Sequence, residues 1–253
     1  MDQPCRSGTR SDLRLIHYID EPAMSNTEPI KLYKFRPLGD ELSLCRAKRI
    51  LETGEFWCSR FWELNDPMEG VFSVNIGNQE VIRQILLRKK KFVICSFSGQ
   101  EAFSNPVMWG YYANGFKGIA IEIEVSADEV QKIKNMTYAD YVAEWSKTDG
   151  SDRVTEILTT KLCSWKHEHE YRFLDDSETP GQRRQIGKIT GVYFGDPYGT
   201  IANRGDIIKE SKELRDFDSF RSELESLLGS LPESKKITYH RVNVVDGKVV
   251  QQS

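Results

Sequence analysis

Between Gly118 and Val125 the chain alternates. Ile119, Ile121 and Ile123 fall on one side, Ala120, Glu122 and Glu124 on the other. A period of two places successive side chains on opposite faces of a strand. The segment therefore reads as a strand with one apolar face and one wet or functional face. It needs strand neighbours beside it and a layer above its apolar side. The flanking sequence supplies both. Lys31 to Arg36, Glu55 to Ser59, Val71 to Ile76, Lys91 to Ser98, Thr137 to Val142 and Ile189 to Phe194 all read as strands. Ile237 to Val245 and Lys248 to Gln252 read as a hairpin around Asp246-Gly247, a pair that two-residue hairpin turns favour.

Short helices lie between these strands. Asp40 caps one from Glu41 to Thr53 that stops at Gly54. Asn78 caps a second, from Gln79 to Lys90, whose closing Arg88 to Lys91 run complements the helix dipole. Asn105-Pro106 opens a third through Tyr112, and Ser126 opens a fourth. Ser151 to Cys163 and Asp216 to Leu228 complete the set. Several strands follow one another directly and the helices are short. A single α+β domain over 30–253, with a mostly antiparallel sheet flanked by short helices, fits better than a doubly wound one. Residues 1–29 are polar and irregular and read as a flexible leader.

The 253 residues suffice for a full core, and 39% hydrophobic with 29% charged residues is ordinary for a globular protein. A net charge of -3 provides no general basic field for nucleic acid. No apolar run approaches the roughly 20 residues of a membrane span, so no membrane partner is expected. The five cysteines include no Cys-x-x-Cys pair and read as buried thiols of a reducing, cytoplasmic setting.

Four clusters could carry chemistry. Tyr33, Lys34 and Arg36 end the first strand, and an arginine held before Pro37 could grip a phosphate or carboxylate with two bonds; the alternative is a surface cation. Trp57, Ser59, Asn65, Asp66 and Glu69 surround a tight Asn-Asp-Pro turn, with Phe56, Phe61 and Trp62 as a stacking wall; Asp66 could equally cap its own backbone. Ser96 and Ser98 share a strand face, and Trp109 and Tyr112 share a helix face that in most proteins is core. The fourth cluster is Trp165 to Phe173. Read as a strand, it places Glu168 and Glu170 on one face and His167, His169 and Tyr171 on the other. Two adjacent carboxylates call for a cation, a metal or a positively charged substrate, unless they simply face water. The two histidines lack further ligands at metal spacing, Asp175 and Asp176 apart, so no metal is assigned.

At these clusters the chain resembles a bacterial family known as domain of unknown function 2971. The likeness rests on Leu32-Tyr33-Lys34-Phe35-Arg36, Phe56-Trp57-Cys58-Ser59, Leu64 to Gly70, Cys95-Ser96-Phe97-Ser98, Met108-Trp109 to Ala113, Lys117-Gly118, Trp165 with Glu168, Glu170, Tyr171 and Arg172, and Val192 to Gly195. A more distant resemblance is to ADP-ribosyltransferases. Arg36, Ser96-Phe97-Ser98 and Glu168-His169-Glu170 occur in the order that the arginine-modifying branch shows. DNA-targeting members usually carry histidine where Lys34 stands, which is a departure.

This second resemblance implies a split antiparallel sheet around an NAD-binding cleft. It implies NAD as substrate, Glu170, Glu168 and Arg36 as catalytic residues, and an acceptor that is protein or nucleic acid. Tyr33, Lys34, Ser59, Asn65, Asp66, Ser96, Ser98, Trp109, Tyr112 and Arg172 would bind the dinucleotide, with Trp109 or Tyr112 stacked on nicotinamide. The role implied is an NAD-consuming transferase or glycohydrolase in bacterial stress or anti-phage defence. Two other readings stay open: a non-catalytic sensor of a nucleotide-like molecule, and a metal-dependent nuclease using Asp66, Glu69, Glu168 and Glu170.

Overall fold

The computed structural model describes residues 29–64, 73–74, 79–140, 144–145, 153–199 and 204–251. All but the last residue of the leader expected at 1–29, and the Asn65-Asp66-Pro67 turn with Glu69, lie outside them. In chain order the elements are β1 (Lys31–Arg36), α1 (Glu41–Thr53), β2 (Glu55–Trp57), β3 (Ser73–Val74), α2 (Gln79–Lys89), β4 (Val93–Ser98), α3 (Gln100–Phe103), α4 (Pro106–Tyr112), β5 (Ile119–Val125), β6 (Ile133–Asn135), β7 (Thr137–Ala139) and β8 (Glu144–Trp145). They continue with α5 (Val154–Leu158), β9 (Thr160–Leu162), β10 (Glu170–Asp175), β11 (Arg183–Gln185), β12 (Gly187–Gly195), α6 (Arg204–Glu210), α7 (Lys212–Ser230), β13 (Thr238–Val245) and β14 (Lys248–Gln251).

Eight strands form one sheet in the order β14-β13-β12-β5-β1-β4-β10-β6. All its pairings are antiparallel except β12 with β13, which the α6–α7 crossover separates. The α+β class with a mostly antiparallel sheet and short flanking helices is therefore borne out. So are several local signals. The Asp40 carboxylate accepts from Ser43 N and the Ser43 hydroxyl from Asp40 N, a capping box, and Gly54 closes α1 in the left-handed region at φ 73°. Asp246 and Gly247 both take positive φ, as their hairpin turn requires.

One face of the sheet carries Leu32, Cys95, Phe97, Ile119, Ile121, Ile123 and Phe173 under α1 and α7. The other carries Phe35 and Ala120 under α4. Strand β5 is thus covered on both sides, and its expected wet face is interior. Glu122 is buried there because its carboxylate accepts the hydroxyls of Tyr33 (3.1 Å), Tyr193 (3.1 Å) and Thr190 (2.6 Å).

Two expectations need correction. The helix expected through Cys163 stops at Leu158, and the paired Thr159 and Thr160 lead into β9 instead. β-branched residues lose side-chain freedom in a helix and gain it in a strand. The stretch from Trp165 is not one strand either. Cys163–Glu168 is a 3-10 helix, His169 is left-handed at φ 40°, and β10 begins only at Glu170. His167 and His169 therefore share no strand face.

The sheet is split. β1 and β4 share only the Tyr33–Ser98 pair. Continuing that register would set Phe35 opposite Ser96. Instead the Ser96 carbonyl accepts from Lys34 Nζ at 2.7 Å. Further along, β4 takes a different neighbour: Ser59 and Ile94 exchange both backbone hydrogen bonds, at 2.7 and 2.8 Å. Between these two partners the edge of β4 opens into a gap.

Candidate functional site

The gap is the floor of a cavity of about 1100 Å³, at the upper end of the range that small-molecule sites occupy, roughly 300–1,000 Å³. Its walls come from β1, α1, β2, β4, α4, β9 and the 3-10 helix before β10. Arg36, Ser96 and Glu170 all line it. They reach it from opposite faces of the sheet. Register sets Ser96 and Ser98 beside Arg172 and Glu170 on one face. Lys34 and Arg36 alternate with Tyr33 and Phe35 and project from the other. The split is what lets both sets meet one cavity.

Glu168 and Glu170 converge although they do not share a strand. The left-handed His169 turns the chain between them, and both carboxylates meet Lys161 Nζ, at 2.5 and 3.1 Å. Lys161 comes from β9, is 5% exposed and lies over the Trp165 ring. Glu170 also accepts from Arg172 Nε at 3.0 Å and from the Ser96 hydroxyl, while its backbone N–H donates to Tyr138 Oη at 2.9 Å. Burial pushes the Glu170 carboxyl up, but Arg172, Lys161 and Ser96 outweigh it and bring it down to about 2. Glu170 is therefore a carboxylate at every physiological pH. Tyr112 donates its hydroxyl to the second oxygen of Glu168; burial and that carboxylate raise the tyrosine well above its usual value.

At the other end the charge is positive and unpaired. The Arg36 side chain makes no hydrogen bond or ion pair with a described residue, and its Nε is buried without a partner. Burial and the nearby Arg46 lower its pKa. Both effects mark a cation that an anion would relieve.

The remaining sequence candidates divide clearly. Tyr33, Lys34, Ser59, Ser98 and Tyr112 line the cavity. Trp109 does not. It is fully buried between Phe35, Phe103 and Phe116, and its indole N–H donates to Phe103 O at 2.8 Å, so it cannot stack on a ligand. Arg172 does not line the cavity either; it is fully buried and acts through Glu170. Asn65 and Asp66 lie outside the described residues. Of the cysteines, Cys58 and Cys95 are buried as expected, but Cys45 is exposed and Cys163 partly so. The residues that sequence reading overlooks are Lys161, Tyr138, Tyr111 and the cavity-lining arginines of α1. Lys161 had one signal: a lone cation within the strand-like Thr-Lys-Leu at 160–162.

Compared with protein-family models, with curated proteins and with solved structures, the chain finds no match. Among the described residues no helix is long and apolar enough to cross a membrane, and no three His, Cys, Asp or Glu side chains come together as a metal site.

Proposed function

We propose that this protein cleaves the nicotinamide–ribose bond of an NAD-type dinucleotide, as an ADP-ribosyltransferase or a glycohydrolase. One observation carries the reading. A buried Glu170, whose carboxyl Arg172, Lys161 and Ser96 hold well below its usual value, and an Arg36 with no ion pair to a described residue line the same cavity. As the C–N bond breaks, its electron pair leaves with the neutral nicotinamide and positive charge builds on the ribose carbon. A fixed carboxylate beside that carbon stabilises the charge without reorganising. Glu170 has this role, and Lys161, Arg172 and Ser96 keep it ionised and aimed. Glu168, held by Tyr112 and Lys161, orients the attacking hydroxyl, from water or an acceptor, and receives its proton. Arg36 takes the diphosphate.

Purified wild type is expected to release nicotinamide from NAD, and Glu170→Gln to lose most of that rate. Equal rates in the two proteins would overturn the proposal.

A second reading has its own support. Both carboxylates are already matched by cations, which suits a site that holds a ribose without reacting. A dinucleotide that stabilises the protein and is recovered intact would establish this sensor reading. Among the described residues the nuclease reading finds no assembled acid cluster: Glu168 and Glu170 turn to Lys161, and Asp66 and Glu69 lie outside those residues. Phosphodiester cleavage abolished by chelation would restore it.

A further inference from the structure

The cavity carries more positive charge than a dinucleotide's diphosphate needs. Six cations line it (Lys34, Arg36, Arg46, Arg49, Lys161 and Arg183) against three acids, Glu63, Glu168 and Glu170. Two of those acids are matched by Lys161, and Glu63 bonds to Gln182 and the Arg60 backbone rather than to any of the arginines. The side chains of Arg36, Arg46, Arg49 and Arg183 make no ion pair with a described residue. Lys34 is committed to the Ser96 carbonyl. Four guanidiniums therefore line the cavity with no carboxylate among the described residues paired to them.

Arg36 and Arg46 are close enough to repel each other. Arg46 and Arg49 are three apart on α1 and so share a face. Arg183 pairs in register with Trp57 and stacks on it, its guanidinium 5.6 Å from the ring centre. Trp57 is half exposed and lines the cavity, a flat wall of the size a purine ring would cover. With the nicotinamide ribose at Glu170 and the diphosphate at Arg36 and Arg46, the adenosine half is left to Trp57 and its stacking partner Arg183, in the cavity that Arg49 also lines.

We infer that the preferred substrate is the dinucleotide bearing a third phosphate on its adenosine ribose, NADP rather than NAD, with Arg49 and Arg183 as the residues that select it. The inference rests on the dinucleotide reading above and adds the identity of the ligand. A phosphate between two guanidiniums gains charge-assisted bonds that a ribose hydroxyl does not, enough for a preference of about tenfold or more.

The test is titration calorimetry of the whole chain with NADP and with NAD at fixed ionic strength. Wild type is expected to bind NADP at least about tenfold more tightly. Arg49→Gln with Arg183→Gln should bring the ratio of NADP to NAD affinity to within about twofold of one. Arg49 is exposed and Arg183 partly so, and a circular-dichroism melt matching wild type verifies that the variant is folded. If NAD binds and NADP binds no tighter, the inference falls and the dinucleotide reading stands. If NADP is preferred but the double variant keeps the preference, the assignment to these two arginines is overturned. If neither dinucleotide binds, the dinucleotide reading fails and the inference with it.

Discussion

Lys161 offers the sharpest test of how the site is held together. Among the described residues its ammonium is the one cation bonded to both glutamates, and all three side chains are about 5% exposed. Replacing it with methionine keeps the length and most of the volume while deleting the charge. Glu170 retains Arg172 and Ser96. Glu168 retains only the Tyr112 hydroxyl and now faces Glu170 across an unneutralised gap. Removing one partner of a buried ion pair typically costs about 3–5 kcal/mol, because the other charge is left uncompensated. Lys161→Met is expected to lose that much in urea unfolding at pH 7. Adding Glu168→Gln should restore about 1–3 kcal/mol of it, since two members of one network do not add independently. A loss below about 1 kcal/mol, or single and double variants that add within about 0.5 kcal/mol, would refute the network.

Other consequences can be measured separately. The lowered Glu170 carboxyl contributes stability that is complete above its ordinary value of 4.5 and lost as pH falls towards about 2, so Glu170→Gln should flatten the acid-unfolding curve across that window; an unchanged curve would count against the ionised carboxylate. Gly118→Ala should destabilise by about 2 kcal/mol or more in thermal melts, because its Cβ would stand 2.3 Å from Arg36 O and 2.8 Å from Ala113 Cα, both backbone atoms; an unaltered melt would put that close approach in error. Trp109→Leu should cost roughly 2–4 kcal/mol in urea yet leave dinucleotide affinity unchanged, whereas a selective loss of affinity would return Trp109 to the ligand wall.

Much of the frame was legible because its signals are local. The Asp40 cap, the Gly54 stop, the Asn105-Pro106 start and the Asp246-Gly247 turn each act within a few residues, and each appears where the chain suggests. The site was legible only in part. Arg36, Ser96 and Glu170 were identified by residue type and order, but their meeting depends on where β4 changes partner, which no short window encodes. The glutamate pair was identified for a geometry it does not have: alternation along a strand was expected, and a left-handed residue after a 3-10 turn supplies the convergence instead. Lys161 was missed because the polar-apolar pattern of residues 151–163 mimics a helix, and its two partners lie seven and nine residues onward across a turn. Trp109 shows the opposite error. An aromatic beside a tyrosine on one helix face looks like a ligand platform, but the tight space between β1 and α4 claims the ring for packing.

The division between β1 and β4 has one more outcome. Unpaired strand borders normally sit on a protein's exterior, where they invite other chains to add on, and proteins blunt them with charge or cover. Here such a border is kept indoors, roofed by α1 and α4 and blunted by the ammonium of Lys34. A guest small enough to enter the cavity meets that border there.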